Sequence, residues 1–259
     1  MSAVSIYSES MGDGPSLVLA HGFGGSARNF RPQARALAAR FRVTLVDLPG
    51  HARSAAPDDP ALYTLVALRQ AFAEVAFRFG DAPVVGGLSL GAAVALELAL
   101  AEPRRVRALV LASYPSSGEE PARHAWATGF ADAIEANGLD AAGAEFAWGT
   151  RSRFDPKGAE LIRQGFLEHP PEGLVHILRQ TLADLPSVAT LAPRLHGLDV
   201  PTLVIAGEQD GDSLPPCRAL TEALPRAELC VIERAGHVVN LAQPAAFNAA
   251  LDAFLSRLA

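Results

Sequence analysis

Short, unbroken apolar runs punctuate the chain at Leu17–Ala20, Val43–Val46, Pro83–Gly86, Ala108–Leu111, Thr202–Ile205 and Leu229–Ile232. A run of this length without polar alternation is the pattern of a strand buried on both faces, and a turn follows each one. Between the runs lie amphipathic or apolar stretches at about residues 30–40, 61–79, 90–101, 215–224 and 244–257, which suit crossover helices. Such alternation predicts an α/β fold, a mostly parallel doubly wound sheet with helices on both faces.

The rhythm stops between Pro115 and about Leu195, where no strand-like run occurs. Helical segments succeed one another there at Ala122–Asn137, Asp140–Trp148, Lys157–Glu168 and Gly173–Leu182. The expected organisation is a core of residues 1–114 and 196–259, with an all-helical cap inserted at 115–195. A cap placed there would lie over the C-terminal edge of the strands, where open sheets of this kind bind their ligands. Trp126, Phe130 and Trp148 of the insertion, with Val238 near the other end of the chain, are the candidates for a substrate pocket. Plain core packing is the competing account of the same apolar side chains.

Composition narrows the function classes. At 259 residues, 49% hydrophobic and 19% charged, the chain suits one folded core and is too apolar for disorder. A net charge of −6 gives no electrostatic reason to bind a nucleic-acid backbone. The N-terminal residues lack a basic head and apolar run, and no stretch is long enough to cross a membrane. Cys217 and Cys230 lack a C-x-x-C spacing and fit a reducing compartment, so a cytoplasmic location is expected. The seven histidines form no metal-binding motif, and no metal or other cofactor is expected.

The chemistry is concentrated in a few turns. Gly87-Leu88-Ser89-Leu90-Gly91 directly follows one strand and opens the next helix, the strand-turn-helix context of a nucleophile elbow. A tight turn there strains the serine and presents its hydroxyl at the sheet edge, while the helix N-terminus favours developing negative charge. A serine hydroxyl alone is a weak nucleophile and needs a base. In this kind of sheet the acid and then the histidine follow the serine in chain order, and His237 lies beyond the last strand. The acid belongs just after Thr202–Ala206, where spacing leaves Glu208, Asp210 and Asp212 open. His21-Gly22-Phe23-Gly24-Gly25 follows the first strand, where a second oxyanion donor is expected, so the backbone N–H groups of Phe23 and Leu90 are assigned to that hole. Asp47-Leu48-Pro49-Gly50-His51-Ala52-Arg53-Ser54 reads as a loop bonded within itself, with His51 a structural rather than catalytic residue. Glu97, on an almost wholly apolar helix, reads as a paired group.

Taken in order, the His21-Gly22-Phe23-Gly24, Asp47–His51, Gly87–Gly91, Gly207-Glu208-Gln209-Asp210 and Ala235-Gly236-His237 motifs resemble the α/β-hydrolase superfamily over nearly the full chain. The likeness is to its small capped serine hydrolases, similar to enol-lactonases and haloperoxidase-like esterases. The resemblance favours Asp210 as the acid. It implies hydrolysis of an ester or lactone of a small, largely apolar substrate through an acyl-enzyme on Ser89. C–C or thioester cleavage by the same triad is an alternative, as is a ligand-binding or signalling protein with an idle triad. Ala52 and Ala92 stand where that family often has glycine, and Ala242 where an acid is frequent. Ring-fission C–C hydrolases usually carry Trp after the base and Asn before the nucleophile, whereas Val238 and Leu88 occupy those places here. The menaquinone-pathway lyase usually has Arg four residues past the serine, where this chain has Ala93.

Overall fold

The computed structural model describes residues 4–115, 120–149 and 156–258, so two short pieces of the expected insertion lie outside it. Seven strands form one sheet in the order β1-β3-β2-β4-β5-β6-β7. They are β1 (Ser8–Met11), β2 (Ser16–Ala20), β3 (Arg42–Val46), β4 (Val84–Leu88), β5 (Ala108–Ala112), β6 (Thr202–Gly207) and β7 (Ala227–Ile232). β2 through β7 pair in parallel, and β1 runs antiparallel to β3 at the edge.

The apolar runs become strands because their side chains serve two cores at once. Leu17, Leu19, Val43, Leu45, Val110, Leu203 and Ile205 face one layer, with Leu37 of α1 (Arg31–Leu37) and Phe247, Leu251 and Phe254 of α9 (Pro244–Ser256). Their alternates Val18, Ala20, Val46, Val85, Leu111 and Val204 face the other layer. That layer holds α2 (Leu65–Ala76), α3 (Leu90–Ala101) and α8 (Leu214–Ala223). Successive strand residues point to opposite faces, so a run apolar at every position is required when both faces are covered.

Between β5 and β6 the described residues contain helices and no strand. These are α4 (Glu120–Phe146), α5 (Pro156–Phe166), α6 (Pro171–Ile177) and α7 (Val188–Leu195), with a π-helical turn at Leu178–Leu182. Between the expected segments Ala122–Asn137 and Asp140–Trp148 lies Gly138, non-helical at φ 79° and ψ 173° inside α4. The architecture is therefore the mostly parallel α/β sheet with helical insertion that the alternation implied. None of its described helices is long and apolar enough to cross a membrane.

Candidate active site

Ser89 lies between the end of β4 and the start of α3 at φ 52° and ψ −113°. For a residue with a Cβ this backbone is strained, and strain of this kind is held only where the surroundings fix it. Two features fix it. The Ser89 N–H donates to the Ala112 carbonyl at 2.9 Å. Gly87 and Gly91 let the turn pass within contact of β2, since a Cβ on either would sit 2.4 or 2.2 Å from the Ala20 carbonyl oxygen.

The β2 loop reaches the same point. Gly22 packs so closely on the elbow that a Cβ there would lie 3.3 Å from the Ser89 Cβ. No acceptor among the described residues takes the Phe23 N–H. Leu90, first residue of α3, has by helix geometry no intrahelical acceptor for its own N–H. The Phe23 and Leu90 N–H groups thus belong to the two turns that meet at Ser89.

His237 follows β7, and Asp210 follows β6. The imidazole Nδ1 donates to Asp210 Oδ2 at 2.9 Å. Asp210 is buried and also accepts the Ser213 N–H at 3.2 Å on Oδ1. Burial alone would raise its pKa, but the hydrogen bond and charge of His237, with the Ser213 bonds, hold it below the ordinary carboxylate value. Glu208 is exposed and takes the Arg234 N–H instead. The structure thus brings Asp210 and His237 into direct contact. It sets Ser89 on the same sheet edge, two strands from the acid.

Sequence reasoning missed Ser213. It is fully buried, and its Oγ lies 3.1 Å from His237 Nδ1. A serine three residues after a loop aspartate, opening a helix, is the signal that could have found it.

The insertion meets the site through aromatic rings. Phe23 packs edge-on against Phe130 and Phe166, each at 5.9 Å between centroids. Phe130 stacks on Phe146 at 4.9 Å and on Phe166 at 5.8 Å. Phe130 is 1% exposed and Trp126, edge-on to it, is 39% exposed. Trp148 stands half-buried against Phe166. Val238 is buried in the layer of Phe247 and Leu251. Of the other expectations, His51 is a buried loop residue with backbone partners, and Glu97 pairs with Arg194 of α7 at 3.1 Å. The Asp47 loop bonds largely to itself, Asp47 accepting from Arg53 Nε at 3.1 Å and Ser54 Oγ donating to the Asp47 carbonyl at 2.5 Å.

Known proteins share this frame. The chain is 32% identical to a pimeloyl-[acyl-carrier protein] methyl ester esterase of Nitrosospira multiformis, over 98% of this chain and 99% of the relative. Among solved structures it is similar to a thermophilic esterase from Thermogutta terrifontis, at a TM-score of 0.87 and 27% identity, covering 98% and 94% of the two chains. It is also similar to the enol-lactonase from Burkholderia xenovorans, at a TM-score of 0.83 and 25% identity, covering 98% and 97%. The model of the alpha/beta hydrolase family matches residues 17–250. With nearly the whole sheet and its insertion inside that match, the chain belongs to the alpha/beta hydrolase family, and it is a hydrolase.

Proposed function

We propose that the protein hydrolyses a carboxylic ester or lactone of a small, largely apolar substrate through an acyl-enzyme on Ser89. His237 removes the hydroxyl proton as Ser89 attacks the carbonyl carbon. The Phe23 and Leu90 N–H groups hold the oxygen that becomes negative, and His237 returns the proton to the leaving alcohol. Water deprotonated by the same imidazole then releases the acid. Asp210 keeps the imidazole proton on Nδ1, so that Nε2 faces the reaction, and stabilises the imidazolium. Each oxyanion donor contributes about 3 kcal/mol to the transition state.

The observation that carries this reading is the Asp210–His237 hydrogen bond, its carboxylate buried, on the edge that also holds the strained Ser89. The aromatic cluster of Phe130 and Phe166 against Phe23, with Trp148 on Phe166, supports an apolar acyl or alcohol group. Relatives named for methyl ester and enol-lactone substrates favour an oxygen ester over a C–C bond. Both cysteines are free thiols, which fits a cytoplasmic setting.

The test is Ser89→Ala, compared with wild type on aryl esters, lactones, acyl thioesters and vinylogous diketones, together with fluorophosphonate labelling. The expected result is a folded variant with ester hydrolysis lowered by at least about a thousandfold and no label. Wild-type protein that takes no label and cleaves no ester would instead mean a binding protein with an idle triad. Preference for thioesters or diketones would replace the bond type and keep the triad.

A further inference from the structure

Hydrogen-bond partners fix the tautomers of two buried imidazoles. His21 Nε2 accepts the Leu48 N–H at 3.0 Å, which puts the ring proton on Nδ1, where it is donated to the Gly22 carbonyl at 2.8 Å. His51 Nε2 accepts the Gly24 N–H at 3.2 Å, leaving Nδ1–H to donate to the Pro49 carbonyl at 3.1 Å. A third ring, His169, comes from the turn between α5 and α6 and accepts the Ala52 N–H on Nδ1 at 2.9 Å. The rings adjoin in sequence, with centroids 4.8 Å apart for His21 and His51 and 5.2 Å for His51 and His169. All three are buried.

These bonds fall on both sides of Phe23. The Gly22 carbonyl and the Phe23 N–H belong to one trans peptide, so fixing the carbonyl fixes the opposite direction of the N–H. A hydrogen bond to that carbonyl also polarises the peptide and strengthens its donor. The Gly24 N–H belongs to the next peptide, held by His51. Within the loop the Gly22 carbonyl also accepts the Gly25 N–H at 3.0 Å, and with glycine at 22, 24 and 25 the imidazole bonds add to the stiffness of that single turn. Resting on the assignment of Phe23 as an oxyanion donor, the geometry points to His21 and His51 as positioning residues that clamp the donor peptide. His169 of the insertion anchors the loop that carries His51, so the seating of the insertion sets the oxyanion hole.

Neutral rings are required, because a protonated His51 could not accept from Gly24. Burial supplies that condition, holding His21 near 4 and His51 well below the ordinary imidazole value.

The experiment compares an ester with its thionoester, whose carbonyl sulfur accepts hydrogen bonds poorly and gains little from the hole. A clamp defect lowers the ester rate alone, whereas damage to the fold or to the base lowers both. For His51→Ala the ester kcat is expected to fall about 10- to 100-fold, with KM and the thionoester kcat within about threefold of wild type. His51→Gln places an acceptor near the Nε2 position and retains most of the ester-to-thionoester ratio. His169→Ala gives an intermediate ratio. Thermal unfolding of each variant checks that it is folded. If His51→Ala does not fold, a His169→Ala protein with a wild-type ratio overturns the clamp on its own. Equal losses on both substrates in folded His51→Ala, or no loss on either, overturn it as well. Wild-type protein that cleaves neither substrate defeats the esterase reading, and the clamp falls with it. An active wild type, a dead Ser89→Ala and an unmoved ratio defeat the clamp alone.

Discussion

A buried neutral imidazole has a thermodynamic consequence that is independent of any reaction. Free imidazole titrates at about 6.5. His21 is pushed down to about 4, by burial first and by the charge of His169, against the pull of the Gly22 carbonyl and Asp47. His51 is lowered by burial and by both neighbouring rings, and His169 by burial, against the Gly24 carbonyl, Asp47 and Glu168. Below 6.5 the unfolded chain therefore binds protons that the fold refuses, and stability falls as pH falls. The loss from His21 alone is about 1.4 kcal/mol per pH unit, about 3 kcal/mol by pH 4. His51 and His169 act in the same direction. Glu9, held near 2 chiefly by its hydrogen bond to Arg31, loses its contribution only below about 4.5. Urea midpoints between pH 7 and 4.5 should thus drop steeply and read the imidazoles. A flat midpoint across that range would show that these rings charge in place.

Ala52 is the residue-scale counterpart in the backbone. It stands at φ 46°, a conformation that suits glycine, and its N–H is the one bonded by His169. The left-handed conformation costs an alanine about 1–2 kcal/mol, and glycine gives back about 0.4–1 kcal/mol through unfolded-chain entropy. Ala52→Gly should therefore stabilise the protein by up to about 1 kcal/mol, read from the urea midpoint at pH 7. A lower midpoint would mean that the methyl group packs usefully.

At the scale of elements, the insertion touches the sheet through a backbone contact that the side-chain pattern cannot show. α6 approaches the β3 loop so closely that a Cβ on Gly173 would lie 2.6 Å from the Gly50 Cα and from its carbonyl oxygen. Neither backbone can yield as a flexible side chain would. Gly173→Ala should displace α6, cost about 1–3 kcal/mol and loosen the His169 bond to Ala52 beside it. Ester turnover should fall by more than the stability loss explains; unchanged turnover would separate the helix from the site.

That contact also marks the boundary of what could be read in advance. The six apolar runs were legible because two-sided burial leaves no room for polar residues, and Gly138 broke α4 where the pattern had a gap. β1 was not legible. Ser8-Glu9-Ser10-Met11 carries no apolar alternation, and it is held by pairing with β3, the Ser10–Thr44 hydroxyl contact and the Glu9–Arg31 ion pair. In the site, Ser89 and His237 could be chosen by turn context and chain order, while spacing left the acid open. His169 gave no signal, since its partner Ala52 lies 117 residues away and depends on how the insertion docks.

For the whole molecule, the decisive fact is that the insertion has no core of its own. Ala127, Phe130, Ile134, Phe166, Leu174 and Ile177 belong to the same buried cluster as Val18, Val85 and Leu111 of the sheet. Thr181 donates to the Tyr63 carbonyl, and Arg194 of α7 pairs with Glu97 of α3, so polar contacts cross the same boundary. A piece that buries its apolar face only against the rest cannot unfold by itself without exposing the partner surface. One calorimetric transition is therefore expected, with van't Hoff and calorimetric enthalpies in agreement. Phe166 lies at the centre of this junction, in contact with Phe23, Phe130 and Trp148 and fully buried. Phe166→Ala should cost about 3–5 kcal/mol and lower the single Tm by roughly 10 °C, with the transition still undivided. Were the variant to show two peaks, the upper one at the wild-type Tm, the sheet would be shown to stand without its insertion. The proposed coupling of the insertion's seating to the loop of Phe23 would then have no mechanical basis.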